Sequence, residues 1–366
     1  MNPTVLWWGR FDPHYARNAF LMRLFGELGW QVVSFRPRWS PLGQWEAALR
    51  PLPKPSLVWV PAFRQRDIAA AAAWARTRSV PLIIDPLISA YDKQVFERRK
   101  FDPGSARAER LHRWEAQCFS LADAVVVDTP AHADFFHEAL AVPREKLHLI
   151  WVGADEARFR ATPLPPNPEA GPEALFWGSF LPLHGPETIV AAAQCYQGPP
   201  LRLTLIGDGP LLARCQALAH DAPLPPKLTL TFVPPISYDA LPERIAQAHF
   251  VLGIFGATPK AERVIPNKVF QGLASGRPVV TRQAPSYPEP VIQETASGLL
   301  WVPAADPNAL ARCLTELAAS APAHWQRLGE AARTTFLRHF NETTIRRQLA
   351  ALLARFVEIA PLDPTR

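Results

Sequence analysis

The sequence predicts an α/β chain of two Rossmann-like domains, each an open parallel sheet covered by helices. Two observations carry this. Twelve short apolar runs, several rich in Val and Ile, alternate with longer amphipathic segments, and one proline-dense stretch parts them into two sets of six. The first set is Thr4–Trp8, Gln31–Phe35, Leu57–Val60, Pro81–Ile84, Ala124–Asp128 and Leu147–Trp151. The second is Ala174–Trp177, Arg202–Ile206, Leu228–Val233, Phe250–Ile254, Pro278–Thr281 and Leu299–Val302. Bounded by Gly, Pro or Asp, such runs suit strands buried on both faces of a parallel sheet. Residues 161–172 hold five prolines, which preclude regular helix or central strand and favour a stiff extended linker. The expected domains are therefore 1–160 and 173–344. Ile345, Leu349, Leu352, Leu353, Phe356 and Ile359 recur at helical spacing, so 345–366 reads as an amphipathic helix able to pack back on the first domain. Two such sheets are expected to face each other across a cleft at the carboxyl ends of their strands, where open α/β sheets bind ligands.

Composition narrows the class. The chain has 366 residues, 48 % hydrophobic and 20 % charged, which suits two ordinary globular cores. The formal charge is +6, with 22 Lys+Arg against 18 Asp+Glu in residues 1–170 and 17 against 15 in the rest. That excess is compatible with anionic substrates or lipid headgroups and too weak for nucleic acid. Cys118, Cys195, Cys215 and Cys313 are far apart, without metal-ligand spacing, and read as buried free thiols of a reducing compartment. Met1-Asn2-Pro3 opens no secretion signal, and no stretch approaches the ~18 apolar residues of a bilayer span. The expected location is cytoplasmic, with room for peripheral contact with the inner face of the membrane.

The segment Lys260–Thr281 carries the strongest constellation. Pro266 at the first helical position and Gly276 just past the end bracket a short helix. Its free N–H groups offer an anion site, and Lys268, with Lys260 and Arg263 close in sequence, adds full charges. Asn267, Lys268 and Gln271 can share one face while Phe270, Leu273 and Ala274 face the core. A diphosphate at the helix start with sugar hydroxyls against Asn267 and Gln271 makes a sugar-nucleotide site; a capped surface helix with solvated charges has the same pattern. Gly207-Asp208-Gly209 lacks the third glycine of a dinucleotide fingerprint, since position 212 is Leu. No serine-protease order, zinc helix motif or paired metal carboxylates emerge.

The Lys260–Thr281 segment resembles the donor-binding signature of glycosyltransferase family 4 enzymes with the GT-B fold. Leu175-Phe176-Trp177-Gly178-Ser179-Phe180 with His184-Gly185-Pro186 resembles the first strand and loop of that family's donor domain, and Leu205-Ile206-Gly207-Asp208-Gly209 its second strand and turn. Trp151–Phe159 resembles the interdomain segment, and Glu289 with Gly298-Leu299-Leu300 the tail. Upstream, Tyr15-Ala16-Arg17-Asn18, Asp85–Asp92 and Asp123–His132 are similar to a subgroup common in bacterial surface-polysaccharide clusters.

The resemblance implies a retaining, metal-independent hexosyltransferase that needs no cofactor and uses a nucleotide-diphosphate sugar as co-substrate. Its acceptor would be a hydroxyl of a glycan or lipid-linked chain, in cell-surface polysaccharide synthesis. It implies donor contacts from Gly178, Ser179, His184, Gly207, Lys260, Pro266, Asn267 and Gln271, catalytic roles for Asp85, Lys268 and Arg263, and acceptor-side roles for Arg10, Arg17, Asn18, Tyr91 and Asp92. Three departures stand out. Ser179 replaces a common arginine and His184 a common lysine, both of which hold the diphosphate, so Lys268 with Arg263 or Lys260 is expected to compensate. Gln271 replaces a glutamate that binds ribose. Arg263 stands where the first glutamate of the family pair falls, with Glu262 one residue off.

Other features stay open at this stage. Asp85 either orients the acceptor or caps the turn before Pro86. Arg98, Arg99, Lys100, Arg107, Arg110 and Arg113, interleaved with Glu97, Asp102, Glu109 and Glu115, form a lipid-phosphate-facing patch or a solvated helix. Trp7, Trp8, Trp39 and Trp59 either stack on sugars or fill the core. A sugar-nucleotide epimerase, or a catalytically silent sugar-nucleotide-binding subunit of the same fold, are the alternative readings of function.

Overall fold

In the computed structural model, which describes residues 2–166 and 168–357, each of the twelve apolar runs forms a strand. Two compact units result among the described residues: residues 2–152 with 343–357, and the residues between Gly153 and Glu342.

The first unit is a six-stranded sheet of β1 (Thr4–Trp8), β2 (Gln31–Phe35), β3 (Leu57–Val60), β4 (Leu82–Ile84), β5 (Ala124–Val127) and β6 (Leu147–Leu149). Its order is β2-β1-β3-β4-β5-β6, every pairing parallel. The order reverses beside β1, as in flavodoxin-like sheets, so a ligand crevice is expected outside the ends of β1 and β3. β1, β3 and β5 are apolar because helices cover both faces. Trp7 stacks on Trp59 at 5.5 Å, and Phe25 meets both rings edge-on. Trp7, Trp8 and Trp59 are fully buried. They fill the core and are not available to sugars; Trp39 alone of the four candidates is exposed.

From Thr343 on, the helix Glu342–Leu353 belongs to this unit, with Arg346 paired to Glu27 and Gln348 Oε1 accepting from the Trp151 amide at 3.1 Å. Ile345, Leu349, Leu352 and Leu353 are buried as the spacing predicts. Phe356 follows the helix, and Ile359, with the rest of the expected helix past 357, lies outside the described residues.

The second unit holds β7 (Glu173–Trp177), β8 (Leu201–Ile206), β9 (Leu228–Val233), β10 (Phe250–Leu252), β11 (Val279–Arg282) and β12 (Leu299–Val302). All pair in parallel in the order β12-β11-β10-β7-β8-β9. This is the dinucleotide-fold order, with the switch point between β7 and β10.

The proline stretch is not the division between units, which falls earlier, at Gly153. Arg277, fully buried, donates to Thr162 O at 2.7 Å, Thr162 Oγ1 at 2.8 Å, Pro163 O at 3.2 Å and Ala246 O at 2.8 Å. Prolines leave carbonyls without partners, and one guanidinium collects them against the second unit. Cys118 and Cys215 are buried free thiols as expected, whereas Cys195 is exposed and Cys313 half-buried. Among the described residues no helix is long and apolar enough to cross a membrane.

Candidate active site

The switch point of the second unit is where the donor-side candidates meet. β7 ends at Trp177 and turns at Gly178, whose φ is +129°; β8 ends at Ile206 and turns at Gly207, at +143°. These turns lie so close that a Cβ on Gly207 would stand 2.0 Å from Gly178 O. Only glycine permits both the conformation and the approach. Beside them is a cavity of about 370 Å³ lined by Trp177, Ser179, Asp208, Ile236 and Tyr238 among others. The loop after β7 also docks on the loop after β10, with Phe255 N donating to His184 O at 3.0 Å.

The helix Asn267–Ala274 points at this place. Pro266 is its N-cap and not its first residue; its extended ψ of 150° starts the helix one position later. Gly276, at φ +68°, ends it as expected. Lys268 and Gln271 are both buried, whereas Asn267, at the helix start, is exposed. The helix is buried from Lys268 to its end, and its inner side lies against β10 and β11. Lys268 Nζ sits 3.9 Å from the Phe176 ring centroid and has no hydrogen-bond partner among the described residues. A Cβ on Gly178 would meet that Nζ at 3.4 Å and His184 Cε1 at 3.6 Å, so amine, imidazole and glycine turn converge. Burial holds the Lys268 amine well below the ordinary lysine range.

His184 is neutral. Burial, with Lys268 and Lys260 nearby, pushes it down to about 3, and its Nδ1 lies against Ser179 O. The carbonyl can only accept, so Nδ1 carries the proton and Nε2 a lone pair. Where a lysine is common, His184 thus offers an acceptor and no charge. Gln271 is also engaged on both sides, its Oε1 accepting from Trp177 Nε1 at 3.1 Å and its amide hydrogen-bonded to Tyr238. It reaches the cavity through Trp177 and Tyr238. Lys260 is buried and Arg263 half-buried on the short helix Pro259–Arg263, and Glu262 pairs with Arg282 at 3.5 Å.

In the first unit most acceptor-side candidates turn inward. Arg17 Nε donates to Asp85 Oδ2 at 2.7 Å, and its other nitrogens donate to Trp151 O and Ile150 O, each at 3.3 Å. Both residues are buried, and burial raises Asp85 against the pull of Arg17. This pair ties the end of β4 to the chain after β6 and does not present an open carboxylate. Asn18 is buried and donates to Asp12 O at 2.8 Å; Asp92 is buried. Tyr91 is half-buried against His112 and Phe96, and Arg10 is exposed.

Glu115, expected among solvated charges, is instead a buried hub. It accepts from Ser89 Oγ at 2.5 Å, Ala90 N at 2.5 Å and Tyr91 N at 2.9 Å. Asp128 and His132 form a second buried pair near Asp85. A buried acid on a helix of otherwise mixed charge leaves no periodic signal, which is why Glu115 was unreadable.

Comparison with known proteins agrees with this architecture. The family model described as "Glycosyl transferases group 1" matches residues 171–320, and "Glycosyl transferase 4-like domain" matches residues 7–153. No curated protein matches the sequence. Among solved structures, Anabaena HepE in complex with UDP-glucose is similar, with a TM-score of 0.70 at 12 % identity, over 97 % of this chain and 100 % of that one. A glycosyltransferase from Rickettsia africae gives 0.65 at 10 %, over 98 % and 100 %. The lipopolysaccharide outer core galactosyltransferase WaaB, in its apo form, gives 0.64 at 12 %, over 97 % and 100 %. With one family model on each sheet and the GT-B architecture throughout, the chain belongs to the group 1 glycosyl transferases of the glycosyltransferase 4-like kind and is an enzyme of the hexosyltransferase type.

Proposed function

We propose that the chain transfers a hexose, with retention and without a metal ion, from a nucleoside-diphosphate sugar to a hydroxyl of a glycan or lipid-linked acceptor. Cell-surface polysaccharide synthesis on the cytoplasmic side of the membrane is the process it would serve. The observation that carries the reading is Lys268: a buried amine without an acceptor among the described residues, beside two glycine turns and at the start of a helix. Such an amine is costly to keep unless an anion completes it. A donor diphosphate supplies that anion, held also by the free N–H groups of the helix start, with Arg263 and Lys260 on its flank.

The cavity by Trp177, Ser179 and Tyr238 is sized for the nucleoside, and the UDP-glucose in the HepE complex makes UDP the first base to try. As the bond to the diphosphate breaks, negative charge grows on the leaving oxygen. Lys268 and the amides stabilise it more in the transition state than in the bound donor. The departing diphosphate takes the acceptor proton, so the protein supplies position and charge and no strong nucleophile. His184 Nε2 accepts a hydroxyl of the sugar, Gln271 fixes Trp177 and Tyr238, and Asp85 acts through Arg17 as a positioning residue.

The test is a transfer assay with UDP-hexoses, acceptor present and absent. Product that appears only with acceptor supports the reading. Conversion of the donor sugar without acceptor would replace it with epimerase chemistry, and donor binding without turnover with a silent subunit.

A further inference from the structure

Between β2 and β3 the chain makes a 3-10 turn, Ser40–Leu42, continued by the short helix Gly43–Ala48. Its packing is inverted. The small residues Ser40, Gly43 and Ala47 face inward, and a Cβ on Gly43 would stand 3.2 Å from the Trp8 ring. The large apolar residues face out: Trp39 is 69 %, Leu42 56 %, Trp45 64 % and Leu49 88 % exposed. Spacings of three and four residues put these side chains on one side of the turn and helix. A helix that only covers a sheet does the reverse. At such exposures the side chains project and form no groove.

Cations surround this ridge. Arg36, Arg38, Arg50 and Lys54 are exposed, and between Arg36 and Arg66 the one acid is Glu46. Its carboxylate is already taken by the Arg38 amide at 2.7 Å and the Arg50 guanidinium at 2.5 Å. Arg64 donates to Ser40 Oγ at 3.2 Å, which brings the exposed Phe63 and Arg66 to the same patch.

We propose that this face seats the chain on a bilayer rich in anionic phospholipid. Trp39, Leu42, Trp45 and Leu49 enter the headgroup boundary, where indole rings are at home, while the arginines and Lys54 bind lipid phosphates. The alternatives fit less well. The ridge is about 15 Å long at the helical rise and narrower than the patch a stable protein interface uses. A second copy docked on the same face would set these cations against themselves. The proposal is independent of the donor-site reading.

The full-length chain is sedimented with vesicles of phosphatidylcholine alone and of phosphatidylcholine with phosphatidylglycerol, at low and high salt. Wild type should favour the anionic vesicles by about tenfold or more, less so at high salt. Trp39→Ser with Trp45→Ser should lose binding to both kinds of vesicle, with far-UV circular dichroism and melting temperature unchanged. Arg36→Glu with Arg66→Glu should lose only the anionic preference. Equal binding by the tryptophan variant, or wild type bound alike to neutral and anionic vesicles or to neither, overturns the proposal. So does a dimer in solution that the tryptophan substitutions convert to monomer.

Discussion

A lysine amine over the face of a phenylalanine, with no acceptor among the described residues, is a group the fold keeps at a cost. The ring face over Lys268 recovers about 0.5–2 kcal/mol of it, less than an unpaired buried charge demands. Two outcomes follow with opposite signs. Lys268→Ala should lower turnover by about 10²–10³-fold, as for loss of one electrostatic stabiliser. Lys268→Met, similar in length, should stabilise the empty protein by about 1–3 kcal/mol in urea melts while remaining inactive. Because burial lowers the Lys268 amine below 10.5, the unfolded chain binds the extra proton in that window, so wild-type stability rises with pH there and the Met variant's rises less.

His184 works at the other end of the scale. Its folded value of about 3 lies below the ordinary 6.5, so the unfolded chain binds the proton between them. Stability should fall as pH drops from 6.5 toward 3, and His184→Asn should flatten that fall in melts followed by circular dichroism. The types and positions of these residues were legible in the sequence. Their states were not, because burial and the Ser179 carbonyl that set them come from the tertiary fold. The same holds for Arg17 and Asp85, 68 residues apart and joined as one buried ion pair.

At the scale of elements, strands read well and loops badly. The twelve strands stand out because each is short, apolar and punctuated, the pattern a doubly covered parallel sheet imposes. The Asn267–Ala274 helix was visible in its Pro and Gly brackets, yet the burial of Lys268 and Gln271 was not, since both faces of a nearly buried helix carry core. Arg277 was invisible in its role: its partners lie 115, 114 and 31 residues away. Arg277→Ala leaves those carbonyls unpaired in the interior and should cost about 3 kcal/mol or more in chemical denaturation. Gly207→Ala should cost more than about 1 kcal/mol and abolish nucleotide binding, because the new methyl meets Gly178 O backbone to backbone.

At the scale of the molecule, two parallel sheets with different strand orders share the work of one enzyme. The class and the two-unit plan follow from periodicity and the resemblance, and the family models agree with both. The boundary moved, since prolines mark where a chain cannot be regular and do not say which unit will hold it. If Lys268 receives the donor diphosphate, thermal shift with UDP, UDP-glucose and uridine separates wild type from Lys268→Ala. A ligand bound to the folded state raises its melting temperature. UDP and UDP-glucose should stabilise wild type well beyond uridine, and Lys268→Ala should respond to all three alike; a Lys268→Ala protein stabilised by UDP as strongly as wild type would show that Lys268 does not hold the diphosphate.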